Sequence, residues 1–119
     1  MTGIALDVER TNDVCDALGH HHRRFVLADL SGRVPPVGTG GLAARAAEWE
    51  RDRGGPRTVS RKRVEIELHH RHLPKLAGAD LLTYDPSELA VVDWPDLDLP
   101  DGWPSDPAGW SALVARVTE

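Results

Sequence analysis

All six histidines of the chain fall in two short strings, His20-His21-His22 and His69-His70, with His72 two residues further on. The imidazole nitrogen is a good ligand for Zn²⁺ or Ni²⁺. His69 and His72, three apart, would share a helix face, so a metal-sensing pair is the sharpest chemistry these residues suggest. The usual helical ligand pair is spaced by four, however, and Cys15 is the only thiol. A structural role asks for less. His69 and His72 would sit half-buried, each donating to a backbone carbonyl or carboxylate, while His20 to His22 would open a helix beside Arg23 and Arg24. The expectation is no metal site and no cofactor. Nor is an enzyme expected. Gly38-Thr39-Gly40-Gly41 lacks the Lys-Ser/Thr of a phosphate-cradling loop, and no nucleophile elbow is present. Trp49 has a core-type position and the other three tryptophans lie in the tail, so packing is the simpler role for all four than base stacking.

The second group able to do chemistry is cationic. Residues 57–75 hold Arg57, Arg61, Lys62, Arg63, Arg71 and Lys75 against Glu65 and Glu67, a net charge of +4 inside a chain of −5, so the remainder sums to −9. A positive island in an acidic protein suits an element that faces phosphate, although such a run is more often only a solvated face. Arg57, Arg61, Lys62, Arg63 and Arg71 are the candidate DNA contacts.

The 119 residues suffice for one domain with a single core. Charged residues at 28 % and apolar residues at 40 % are ordinary for a globular chain. The basic set is not ordinary: 12 Arg and 2 Lys face 19 carboxylates. Well-hydrated acidic side chains with few Lys stems favour solubility in concentrated salt, which points to a halophilic source. Cys15 has no partner for an internal disulfide and is expected on an apolar helix face in a reducing compartment. Neither a bilayer-length apolar run nor a secretory signal is seen, so the expectation is a soluble, cytoplasmic protein with no membrane partner.

The elements that must position these groups follow from periodicity. Residues 1–11 have little to pack and are expected to form a flexible tail. Asn12 is a candidate cap for a helix carrying Val14 and Leu18, and Gly19 separates it from a second helical run with Phe25, Val26 and Leu30. Residues 33–41, with two Pro and three Gly, form a loop in which Val34 or Val37 fits a short edge strand. Leu42, Ala46 and Trp49 mark a third helix ending near Arg53. Thr58 or Ser60 can cap the next, basic helix. Placed at 100° per residue from Val64, its Leu68, His72, Leu76, His69, Leu73 and Ile66 fall within one arc from roughly 40° to 200°. Pro74 lacks the N–H that would bond to the carbonyl of His70, so a kink or break is expected there. Residues 81–84 and 89–92 read as a hairpin joined through Asp85-Pro86-Ser87-Glu88. An acidic, Pro-rich connector spans 93–106. Asp106 and Pro107 then open a final helix, 107–119, whose Trp110, Leu113, Val114 and Val117 must be buried on this chain or on a second copy.

The resulting class is mainly α with a small β-hairpin, and the order of elements is that of a winged helix-turn-helix over residues 12–92. The strings DALGHHHRRFVLADL, VEIELHHRHLPKL and ADLLTYDP resemble a haloarchaeal winged-helix-like family of unknown function. That family is similar in turn to small arsenic-repressor-type transcription regulators. The resemblance implies that residues 42–53 form the first helix of the motif, 61–76 the recognition helix, and 82–84 with 89–92 the wing. Three departures stand out: Asp80 where a left-handed Gly is usual, a long 54–59 connection, and a wing tip bearing Asp85 and Glu88. The expected function is a DNA-binding transcriptional regulator of a halophilic archaeon. Double-stranded DNA is its expected partner, with homodimerisation through the last helix. The alternative is a protein-interaction module on the same fold that does not bind DNA.

Overall fold

The computed structural model of the chain describes residues 2–54, 59–100, 103–105 and 107–118, those at 2–7 and 107 by backbone alone. Helix α1 (Thr2–Ala17) begins ten residues before the expected Asn12 cap. Residues 2–11 carry no sustained apolar stripe, so no local pattern announces this earlier start. Val14, Ala17 and Leu18, spaced by three and four, form its buried face. Cys15 lies a step of about 100° around the helix from Val14 and is exposed, which corrects its expected place on an apolar face.

Helix α2 (His21–Ser31) is capped by a histidine: the ring Nδ1 of His20 accepts from the backbone N–H of His22 at 3.0 Å. Helix α3 (Thr39–Asp52) follows strand β1 (Val37–Gly38) directly. Leu42, Ala43, Ala46 and Ala47 are fully buried, and the small side chains let α3 lie close to its neighbours. A bidentate ion pair from Arg45 to the largely buried Asp29, at 2.9 and 2.8 Å, ties α3 to α2. Trp49 is half-buried against Phe25, with ring centroids 5.0 Å apart.

The basic segment forms one rod in three parts. Helix α4 (Arg61–Glu67) is capped by Ser60, whose Oγ accepts from the N–H of Arg63 at 3.2 Å. A π turn (Leu68–His72) follows, closed by the N–H of Leu73 donating back to the carbonyl of Leu68, and helix α5 (Leu73–Gly78) completes the rod. This is how the interruption expected at Pro74 is realised: the widened turn takes up an extra residue just before the proline. It also places Leu68 and Leu73, five apart, together in the core. Ile66, expected on the apolar arc, is instead 50 % exposed. It sits at the far edge of that arc.

At the end of α5 the N–H groups of Asp80 and Leu81 donate to the carbonyls of Ala77 and Leu76, both at 3.0 Å, with Asp80 at φ 59°. This is a Schellman closure with Asp in the position that favours Gly. Strands β2 (Thr83–Asp85) and β3 (Ala90–Asp93) form the hairpin, with an irregular register at Thr83/Tyr84. Strand β1 pairs antiparallel on the other side of β3, Val37 opposite Val91, giving the sheet order β1-β3-β2. Val37, not Val34, is therefore the edge-strand residue.

Helix α6 (Pro107–Val117) buries Leu113 completely in the core of its own chain, and Val114 and Val117 pack partly against it. The connector is held as well. Trp103 Nε1 donates to the carbonyl of Arg24 at 2.9 Å, and the Arg24 guanidinium lies 3.7 Å above the Trp110 ring. Asp106 lies outside the described residues.

Candidate nucleic-acid interface

Helix α4 packs against α3 across the connection that begins at Arg53, so the first turn of α4 projects Arg61, Lys62 and Arg63 into solvent. Arg61 is partly neutralised: its Nη1 donates to Glu65 Oε1 at 3.3 Å, and Glu65 Oε2 also accepts from the hydroxyl of Thr39 at 3.4 Å. Gly40 makes room for this pair, since a Cβ there would stand 3.3 Å from Glu65 Oε2. Among the described residues, Lys62, Arg63 and Arg71 form no ion pair. Arg57 and Thr58 lie outside the described residues.

The structure divides the candidate set. Arg61, Lys62 and Arg63 share the first turn, whereas Arg71 is carried on the π turn, where its charge acts on His20, Arg23 and His72. The wing tip has the opposite sign. Asp85 accepts from the N–H and Oγ of Ser87 and from the N–H of Glu88, and the Ser87 hydroxyl bond in particular holds its carboxyl below the ordinary range. Leu89 closes the turn at φ 52°, and its carbonyl accepts from the N–H of Thr39 at 2.9 Å, fastening the wing to the start of α3.

Behind the rod lies a polar layer that sequence reasoning did not assemble. The Arg23 guanidinium, buried, donates from Nε to Ala17 O at 2.6 Å, from Nη2 to Asp16 O at 3.1 Å and from Nη1 to His72 Nδ1 at 3.0 Å. His72 thus accepts from an arginine, where it was expected to donate to a carbonyl or carboxylate. Its ring is fully buried, and burial together with the neighbouring His20 and Arg23 charges lowers its pKa to about 3. His20, at 4.3 Å between ring centroids, is likewise lowered to about 4, first by burial and then by His21 and His22.

Glu50, from the last turns of α3, meets both adjacent histidines of α2. His22 Nε2 donates to Oε2 at 2.6 Å and His21 Nε2 to Oε1 at 3.1 Å. Burial works to raise the Glu50 carboxyl, but the hydrogen bonds from His22 and His21 and their charges together hold it below the ordinary value. Burial lowers His22 despite the contrary pull of Glu50. His22 Nδ1 and His72 Nε2 are buried without a hydrogen-bond partner among the described residues. Two groups have ligand atoms within 4.8 Å of one another: His20 with His22 and His72, and His21 with His22 and Glu50. His69 belongs to neither. It forms a 2.7 Å hydrogen bond with the hydroxyl of Tyr84 on β2, so the pair the sequence suggested, His69 with His72, is split: only His72 belongs to such a group. The only hint in the sequence was the triple histidine at 20–22, and nothing in it announced a partner fifty residues away.

Helices α3 and α4 with the small antiparallel sheet behind them define a mainly α domain compatible with a winged helix-turn-helix. No described helix is long and apolar enough to cross a membrane. The chain belongs to the family described as a domain of unknown function, DUF7344, which it matches over residues 15–92. No curated protein and no solved structure matches it.

Proposed function

We propose that the protein is a winged-helix DNA-binding transcriptional regulator, with α4 as the recognition helix and Arg61, Lys62, Arg63 and Arg71, together with Arg57, meeting the phosphate backbone of double-stranded DNA. The observation that carries this reading is the exposed cationic first turn of α4, seated on α3 and followed by a hairpin. Guanidinium groups suit phosphate oxygens and guanine edges, and contacts of both kinds are needed for a specific site. The Arg-rich, carboxylate-rich composition supports a halophilic source; that the source is archaeal rests on the family resemblance, and the cytoplasmic setting on the single cysteine. Near-molar salt weakens pure phosphate contacts, so specific binding there depends on base contacts or on pairing of two copies. Homodimerisation beside α6 would supply such pairing, next to an apolar groove formed by Cys15, Leu18, Trp110 and Val114.

A mobility-shift titration at several salt concentrations tests the reading. Binding should weaken as salt rises, and Arg61→Ala/Arg63→Ala should weaken it further and reduce the salt slope by about 2. Binding indifferent to both salt and the substitutions would sink it. A second reading, a protein-interaction module without DNA binding, is favoured by the wing tip, where Asp85 and Glu88 would repel phosphate and Leu89 is 46 % exposed.

A further inference from the structure

We propose that His21, His22 and Glu50 form a binding site for a divalent transition-metal ion of the zinc, nickel or cobalt class. Two imidazoles and a carboxylate are a ligand set such ions accept, and the three donor atoms lie within 4.8 Å of one another. The side chains come from the first turn of α2 and the last turns of α3, two helices already tied by the Arg45–Asp29 pair, so the backbone positions are fixed before an ion arrives. The site opens onto a cleft of about 290 Å³ lined also by Ser60, Arg63, Val64 and Glu67, which leaves a coordination position for water.

The proton inventory favours these ligands. Each imidazole now donates Nε2–H to one oxygen of Glu50, so in the neutral ring Nδ1 carries no proton. An entering ion takes the two Nε2 lone pairs and one carboxylate oxygen, and each ring proton shifts to Nδ1. Both rings stay neutral and no net proton is released. His22 Nδ1 has no hydrogen-bond partner among the described residues, so the shift breaks no bond there. The His21 side chain is 36 % exposed and its Nδ1–H can turn to water. Among the described residues, Glu50 pairs with no Lys or Arg, and the charge of Glu67 also acts on His22. Arg63 at the cleft rim opposes a cation; Glu67 offsets it.

The neighbouring trio is chemically poorer. His20 Nδ1 is used by the N–H of His22 and His72 Nδ1 by Arg23, so both rings keep their proton on Nε2. Ligation through either Nε2 would displace the α2 cap or the Arg23 bond. The His21–His22–Glu50 set displaces neither.

The experiment is titration of the metal-stripped full chain with Co²⁺, read by its visible absorption, and with Zn²⁺ by equilibrium dialysis. We expect saturable binding of one ion per chain, weakened at least ~10-fold by Glu50→Gln and by His21→Ala, and unchanged by His69→Ala or His70→Ala. Circular dichroism checks the fold of each variant; if Glu50→Gln does not fold, the partly exposed His21→Ala decides alone. Absence of saturable binding, or binding equal in wild type and His21→Ala, overturns the proposal. So does binding lost in His20→Ala but kept in His21→Ala, which would place the ion in the other trio.

Discussion

The two sides of the α4–π–α5 rod handle charge in opposite ways. On the outer side, Arg61, Lys62 and Arg63 stand in water, where an unpaired cation costs little and an ion pair such as Arg61–Glu65 adds at most a fraction of a kcal/mol. On the inner side, Arg23 and His72 are buried, and each guanidinium nitrogen has an acceptor. Burial makes such bonds matter through the penalty of losing them, more than through what they contribute when made. The contrast separates two tasks. The outer cations lie in solvent, Arg61 paired among the described residues only with Glu65, and the inner polar layer fixes how α1, α2 and the rod are joined.

The sharpest way to break this contrast is to remove the inner arginine. Arg23→Met keeps most of the apolar stem but leaves Ala17 O, Asp16 O and His72 Nδ1 without their donor. We expect a loss of about 3 kcal/mol in urea unfolding. A loss below about 0.5 kcal/mol would mean that the layer is not a structural joint.

Acid should attack the same layer. His72 and His20 have folded pKa values near 3 and 4 against about 6.5 for an unperturbed imidazole, so below pH 6.5 the unfolded chain binds more protons. Stability contributed by the neutral rings is complete above pH 6.5 and falls as pH drops toward those folded values. The fully buried His72 alone gives a slope of about 1.4 kcal/mol per pH unit in that window. The lowered carboxyl of Glu50 acts in the same direction at the acid end. Thermal unfolding from pH 7 to pH 4 checks this, and His72→Gln should flatten the profile.

Smaller effects belong to the strained link after the rod. Asp80→Gly removes a left-handed non-glycine residue at φ 59° and should stabilise by up to about 1 kcal/mol. The exposed 3.2 Å pair with Arg10 that it sacrifices subtracts little. A Tm that falls would show Arg10 to be the more important partner. The outer cations should move stability least. Arg61→Ala/Arg63→Ala is expected to stay within about 0.5 kcal/mol of wild type in the same urea assay, even where it weakens a DNA complex.

How far these features were legible depends on the sequence distance over which they are encoded. The Ser60 cap, the α3 stripe at Leu42 and Ala46, the hairpin around Asp85-Pro86 and the left-handed Asp80 are local, and each shows in a few adjacent residues. Pro74 announced an interruption, but its form as a π turn depends on how Leu68 and Leu73 meet the core. Helix α1 escaped notice before Asn12 because its first ten residues have no apolar periodicity to read. The inner layer was invisible for a different reason: it joins His22 to Glu50 and His20 and Arg23 to His72 across 28 to 52 positions, and without covariation no local pattern reports such a meeting. Cys15 and Ile66 were misplaced by about one helical step each, within the width of an apolar arc drawn without its neighbours.

The burial of Leu113 and the bond from Trp103 to the Arg24 carbonyl bear on where the protein can be cut. The family match ends at residue 92, but the packed core does not. An expression fragment trimmed to 15–92 would bare the bed of Leu113 and lose the residues of α1 that precede Cys15. Such a fragment invites aggregation, whereas one spanning residues 2–118 keeps Leu113 in its bed and the Trp103 bond.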